Sequence, residues 1–396
     1  YLKQGGYQVA WAGARGDVFA PGVTEASTHF CGWTTKPDRR AMGPQFAEQS
    51  ALYNSFYHGR RPGPGTWMDF DEASTCTAID WLNSKPEGPW CLWLPLIFPH
   101  LPFEVEDPWN SMYQSEDLPE RGVHYGEGKP LFHAALRDKY GTERLSEDEW
   151  TEIRRVYYGM VSRVDSQFGR VMQALESIGG TDNTLVIYLT DHGEYLGDFG
   201  LIEKWPSGMD RCLLQNPLIM AGPGVKEGVT ASTFTEMVDI LPTLLDQAEI
   251  EVGHTHFGRS LTPALLNPRA TVREQAFSEG GFSLDELGLL EISSGEYANK
   301  ANLQHEHPEL VGKTIALRDE QYTFVYRLYE NNELYDRAID PDETINRIDS
   351  RELQSVALDM QARVQDWLVQ SADVIPWQAD PRFPKIPHGK HDDFHY

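Results

Sequence analysis

Residues 184–204 read Thr-Leu-Val-Ile-Tyr-Leu-Thr-Asp-His-Gly-Glu-Tyr-Leu-Gly-Asp-Phe-Gly-Leu-Ile-Glu-Lys. The first seven are β-branched or apolar without a breaker, which predicts a buried strand of a parallel sheet. Asp191 and His192 stand at the carboxyl end of that strand, and Gly193 frees the backbone to turn. In open α/β sheets, ligands bind just outside such ends. A carboxylate beside an imidazole there is a candidate ligand pair for a divalent cation. Lys204 is a candidate positive charge for an anion sharing the site. By itself, the dipeptide is also what a solvated turn contains.

Working outward, Ser146-Glu147-Asp148-Glu149 reads as a capping box opening a long helix. Trp150, Ile153, Tyr157, Met160, Val164, Phe168, Val171, Leu175 and Ile178 recur by three and four, forming one apolar stripe that belongs to the core. Gly179-Gly180 ends the helix, and a short turn feeds the Thr184 strand as in a parallel αβ unit. Downstream, Asn216 to Met220 and Ala221-Gly222-Pro223-Gly224 read as another strand and its stop. Nearer the start, Tyr1 to Gly6 reads as a helix end, Tyr7 to Ala12 as a strand and Asp71 to Asn83 as a helix. Trp90 to Phe98 reads as a strand ending at Pro99-His100, with Pro95 marking a bulge or an edge. Asp107 to Tyr140 is polar and Pro-containing without a clean period, either a pocket-shaping insertion or a surface excursion. Past Thr271 the character changes. A hairpin pairs Tyr322–Leu328 with Glu333–Tyr335 around Glu330-Asn331-Asn332, a helix covers Glu352 to Ser371, and a tail carries His388, His391 and His395 as surface residues.

The chain has 396 residues, enough for a large core and more than one subdomain. Its net charge of −26 argues against nucleic-acid binding, although a local cationic pocket is compatible with an acidic exterior. Cys31, Cys76, Cys91 and Cys212 are too scattered for a disulfide framework or a zinc ribbon. No apolar run approaches the ~18 residues of a transmembrane helix. The chain opens at Tyr1 without an initiator Met and reads as a fragment or a processed chain.

Asp191-His-Gly-Glu-x-x-Gly-Asp-x-Gly followed by Lys204 resembles the metal-binding motif of the sulfatases, within the alkaline phosphatase superfamily. The Asp-His form is similar to that of iduronate and choline sulfatases. Four further segments resemble the family in order: Leu2 to Gly13, Pro89 to Phe103, Phe234 to Asp246 with Phe257-Gly-Arg-Ser-Leu261, and Glu333-Leu-Tyr-Asp to Asn346. The resemblance implies an α/β fold with a mostly parallel central sheet flanked by helices. Residues 1–270 would form the catalytic domain, and 271–396 a smaller α+β subdomain with an antiparallel hairpin.

It also implies that Asp191 and His192 bind a divalent metal, most in keeping with Ca2+ (Mg2+ or Mn2+ being alternatives). Lys204 and His100 would be catalytic and sulfate-binding. Arg15 would take the place of a substrate-binding Lys, while Ala20 lies where a His often follows. A solvated loop charge is the other reading of Arg15. The implied partner is a small-molecule or saccharide sulfate ester, and the implied location is periplasmic, secreted or lysosomal.

The nucleophile of such an enzyme is a formylglycine made in a Cys/Ser-x-Pro/Ala-x-Arg motif. Cys76-Thr-Ala-Ile-Asp80 comes nearest but has Asp where Arg belongs. The nucleophile and two further Asp ligands are therefore expected upstream of Tyr1, leaving this chain inactive alone. Alternatives are a phosphonate or phosphodiester hydrolase of the same superfamily and a non-catalytic binding relative.

Overall fold

The computed structural model describes residues 1–14, 22–38, 46–47, 49–123 and 125–372. Arg15, Ala20 and the tail histidines His388, His391 and His395 lie outside the described residues. The strands are β1 (Gln8–Ala12), β2 (Phe30–Gly32), β3 (Tyr57–Arg60), β4 (Trp90–Trp93), β5 (Phe103–Val105), β6 (Val186–Leu189), β7 (Leu218–Ala221), β8 (Ala276–Gly280), β9 (Thr314–Arg318), β10 (Tyr322–Arg327) and β11 (Glu333–Asp336). The helices are α1 (Val23–Ser27), α2 (Phe70–Asn83), α3 (Leu131–Tyr140), α4 (Glu147–Ser177), α5 (Arg211–Leu214), α6 (Ile240–Gln247), α7 (Thr262–Leu266), α8 (Ala298–Glu306) and α9 (Gln354–Ser371).

Strands β2, β1 and β4 form a parallel sheet in that order, and β3 pairs with β5, also parallel. Helix α4 starts at the expected capping box, with Ser146 and Glu149 satisfying each other's backbone N–H groups. Its apolar stripe (Trp150, Ile153, Met160) packs on Phe103 and Val105 of β5 and on Tyr195, Phe199, Leu201, Ile202 and Trp205. Each fully buried side chain of this kind contributes roughly 1.5–3 kcal/mol. The stretch after Gly193 is therefore fixed by core packing, although it has little regular structure.

Strand β6 departs from its expected pairing. It runs antiparallel to β7, from Val186 opposite Ala221 to Leu189 opposite Leu218, and its four residues are half-buried. The chain turns at Gly193, and Leu218 to Ala221 returns beside β6 in the opposite sense. A short apolar run looks the same in either pairing, so sequence could not separate the two. Tyr1 to Gly6 forms turns instead of a helix end, and β4 stops at Trp93, two residues before Pro95.

In the C-terminal part, β11, β10, β9 and β8 make an antiparallel sheet. One face, with Leu317, Phe324 and Leu334, is covered by Ala357, Met360 and Val364 of α9. The aperiodic stretch before α3 braces this part against the rest. Lys129 Nζ lies 2.7 Å from Asp210 Oδ1 and donates to the Tyr335 hydroxyl at 3.0 Å. His133 of α3 contacts the other Asp210 oxygen at 2.9 Å. Burial would raise the Asp210 carboxyl, but Lys129 and His133 hold it well below the usual carboxylate range.

Candidate active site

Three segments meet at one cleft: the loop after β4, the turn after β6 with the loop to Lys204, and the approach to α8. The loop after β4 is pinned from α2, where the buried Asp71 carboxylate accepts the backbone N–H groups of Ile97 at 2.7 Å and Phe98 at 2.8 Å. This sets the path into His100, whose own N–H donates to Ile97 O at 2.9 Å. His100 Nδ1 faces Leu101 O at 3.0 Å. A carbonyl only accepts, so Nδ1 carries the proton and Nε2 presents its lone pair to the cleft. Burial first, then the neighbouring Lys204 ammonium, pushes the His100 pKa down, which favours the neutral ring.

Lys204 Nζ donates to that lone pair at 2.8 Å. The Tyr297 hydroxyl stands 3.1 Å from the same nitrogen. Lys204 is also 3.0 Å from Glu203 Oε1, and Lys300 of α8 reaches Glu203 from the other side, 3.1 Å from Oε2. Lys300 is equally close to Glu291, 3.1 Å from its Oε1, so the two ammonium groups face two carboxylates and Lys204 is the one that also reaches His100. Glu194 Oε1 accepts the N–H groups of Glu203 at 2.5 Å and Leu196 at 3.2 Å. Desolvation, reinforced by the Glu203 charge, raises the Glu194 pKa to about 7.

The backbone here is strained. Leu196, Phe199 and Glu203 have φ of 47°, 55° and 69°, a region that costs non-glycine residues of order 1–3 kcal/mol each. Core packing of Tyr195, Phe199, Leu201 and Ile202 offsets that cost.

The Asp191–His192 pair opens on the same cleft, with the His100 and His192 rings 6.3 Å apart edge to face. His192 Nδ1 lies 2.8 Å from Gly193 O, so Nδ1 holds the proton and Nε2 is left as a donor atom for a metal. That nitrogen is 3.7 Å from Asp191 Oδ2, a spacing two ligands of one cation can adopt. The Asp191 side chain is 84% exposed, open to an incoming cation. The donor set therefore fits two positions of a divalent-cation shell. Among the described residues, no group of three or more His, Cys, Asp or Glu forms a fuller shell. Gly193 is required by close approach: a Cβ there would lie 1.9 Å from Cys212 O.

Of the residues anticipated from sequence, His100, His192, Asp191 and Lys204 come together, and Arg15 lies outside the described residues. Asp71, Glu203, Tyr297 and Lys300 were not anticipated. Glu203 adjoins Lys204 in sequence, but Tyr297 and Lys300 sit in a polar stretch without any motif.

The sequence model of the Sulfatase family matches residues 1–250. The chain belongs to the sulfatase family. This sulfatase-family chain is 26% identical over 317 residues to the multifunctional alkaline phosphatase superfamily protein PehA of Trinickia caryophylli, covering 75% of the chain and 59% of that protein. It is 26% identical over 311 residues to human arylsulfatase K, covering 70% and 52%. An N-acetylglucosamine-6-O-sulfatase of Bacteroides thetaiotaomicron is 34% identical over 176 residues, covering 44% and 28%.

Among solved structures, the fold is that of the phosphonate monoester hydrolase of Agrobacterium radiobacter (TM-score 0.67, 22% identity, 93% of this chain and 79% of that one). It is equally that of a protein solved with its substrate D-glucosamine-2-N,6-O-disulfate (TM-score 0.69, 20% identity, 96% and 83%). The chain spans 52–59% of the length of the first two curated relatives named here.

Proposed function

We propose that the protein containing this chain hydrolyses a sulfuric ester of a small molecule or saccharide. The observation that carries this reading is the 2.8 Å contact between Lys204 Nζ and His100 Nε2, formed across 104 residues of sequence and facing His192. Lys204 offers a fixed positive charge to the non-bridging oxygens of the ester, where charge accumulates as the S–O bond breaks. His100 accepts from Lys204 and so aims the ammonium into the cleft. A Lys204 proton is within reach of a departing oxygen bound beside His100.

A divalent cation held by Asp191 and His192 would polarise the same group. The family resemblance and the Asp191 carboxylate favour Ca2+, with Mg2+ as an alternative and Mn2+ suited by the His192 imidazole. Arg15 is assigned here to substrate binding on the family motif alone. Residues 1–270 are assigned to the catalytic domain and 271–396 to the smaller C-terminal subdomain. A relative named N-acetylglucosamine-6-O-sulfatase supports a sulfated saccharide as substrate.

A second reading, phosphonate or phosphodiester hydrolysis, draws on the same oxyanion-binding groups and on the fold shared with phosphonate monoester hydrolases. The two readings separate in one experiment. The full-length protein is assayed for sulfate release from 4-nitrophenyl sulfate and for hydrolysis of phenyl 4-nitrophenylphosphonate under matched conditions. A higher kcat/KM for the sulfate ester is expected. A preference for the phosphonate, or turnover of neither, would sink the proposal.

A further inference from the structure

We infer that Asp71 of α2 is a positioning residue for His100: its carboxylate fixes the turn from Ile97 to His100 so that Nε2 of the ring faces Lys204. This rests on the reading of the cleft as an oxyanion site. The observation behind it is a buried charge without a countercharge. Asp71 is 2% exposed, and among the described residues it has no ion-pair partner. The Arg163 guanidinium, whose charge acts on it, is bound to Asp69 and Glu106. The two Asp71 oxygens instead accept one backbone N–H each, Oδ1 from Ile97 at 2.7 Å and Oδ2 from Phe98 at 2.8 Å. A buried carboxylate without a cation carries a large desolvation penalty, which a neutral side chain of the same size would avoid. What the charge adds is a pair of strong, acceptor-only positions that fix adjacent peptide groups.

One of those groups aims His100. The peptide unit between Ile97 and Phe98 carries both the N–H that Asp71 Oδ2 accepts and the carbonyl that receives the His100 N–H at 2.9 Å. Because the unit is planar, a rotation that breaks one of these bonds breaks the other. The His100 ring, held through Nδ1 to Leu101 O and through Nε2 to Lys204, follows that turn. The rest of the segment is secured independently. The Phe98 ring lies between the Arg61 and Arg163 guanidiniums, 4.8 and 4.9 Å from its centre, and Leu101 belongs to the main core. Loss of the Asp71 charge therefore leaves the segment in place and frees the peptide that directs the ring.

The test uses the full-length protein and its Asp71→Asn variant, which keeps the shape but sets an amide donor against a backbone N–H. Measurements are made at a pH well above about 6, where Asp71 is ionised. Nitrogen NMR of histidine-labelled protein reads the His100 tautomer. The unaltered protein should hold the proton on Nδ1, and Asp71→Asn should show a mixture of both tautomers. The kcat/KM for 4-nitrophenyl sulfate should fall about ten-fold, through kcat more than KM. In a His100→Ala background the same substitution should change kcat/KM by less than about two-fold, because no ring remains to be aimed. An unchanged His100 spectrum would overturn the inference, as would an equal loss in both backgrounds, the mark of general loosening. If Asp71→Asn does not fold, Asp71→Ser takes its place, and failure of both to fold would assign Asp71 to the fold alone. If the unaltered protein turns over no sulfate ester, the functional reading fails, while the His100 spectra still decide the role of Asp71.

Discussion

Lys300 Nζ lies 3.1 Å from Glu203 Oε2, and both side chains are 1% exposed. Lys204, beside Glu203 in sequence, remains 27% exposed and turned toward His100. The buried lysine is divided between Glu203 and Glu291, 3.1 Å from each, while Lys204 divides between Glu203 and His100.

Lys300→Met is expected to leave Glu203 with Lys204 as its remaining cation. Unpairing a buried charge costs roughly 3–5 kcal/mol of stability. KM for a sulfate ester should rise as Glu203 draws the Lys204 charge to itself. The double variant Lys300→Met with Glu203→Gln should recover much of the stability in urea unfolding. A double variant no more stable than Lys300→Met would show that the ion pair does not carry the effect.

Lys204→Ala in the full-length protein should lower kcat/KM by about 10²–10³-fold, the usual scale for removing one oxyanion-stabilising group. Lys204→Arg should restore little, since a planar fork cannot reproduce a point charge beside His100 Nε2. Steady-state kinetics on 4-nitrophenyl sulfate read both. A drop of less than about five-fold for Lys204→Ala would remove Lys204 from the chemistry.

Asp71 predicts a pH dependence of stability. Burial first, then the Asp69 charge, raises its pKa from 3.8 to about 6. A carboxyl raised in the folded state favours folding when protonated. That contribution is complete below pH 3.8 and is lost as pH rises through about 6. Relative to Asp71→Asn, the unaltered protein should lose roughly 3 kcal/mol of unfolding free energy between those limits. Glu194, raised to about 7, gives a slope of the same sign and Asp210, held low, the opposite one, so the difference between the two proteins is the quantity to measure by urea unfolding across pH. A flat difference would refute the assignment.

Removal of the metal should stop turnover. EDTA treatment of the full-length protein followed by dialysis is expected to abolish sulfate release, with Ca2+ restoring most activity. Asp191→Ala and His192→Ala should each weaken metal affinity by at least about ten-fold, followed by calorimetry. Full activity after exhaustive chelation would rule out the metal role of the pair.

Much of the architecture was legible because it is written in local periodicity. The Ser146–Glu149 capping box and the three-and-four spacing from Trp150 announce α4, and the hairpin around Asn331-Asn332 announces β10 and β11. Asp191, His192 and Lys204 were legible as one motif around a strand end, and His100 as another. Helix α3 escaped because its stretch pairs with Asp210 and Tyr335 far along the chain and has no clean apolar stripe of its own. The antiparallel pairing of β6 escaped because an apolar run fixes burial but not the direction of its neighbour.

Sequence by itself determined the family, the order of the motifs and the residue types that stand at the strand ends. Tertiary structure alone decided what surrounds Lys204. His100 arrives from 104 residues away, Lys300 reaches Glu203 across 97, and Tyr297 meets His100 across 197. Such convergence depends on how strained loops pack into a shared core. Periodicity reports only the neighbours one turn or one strand residue away.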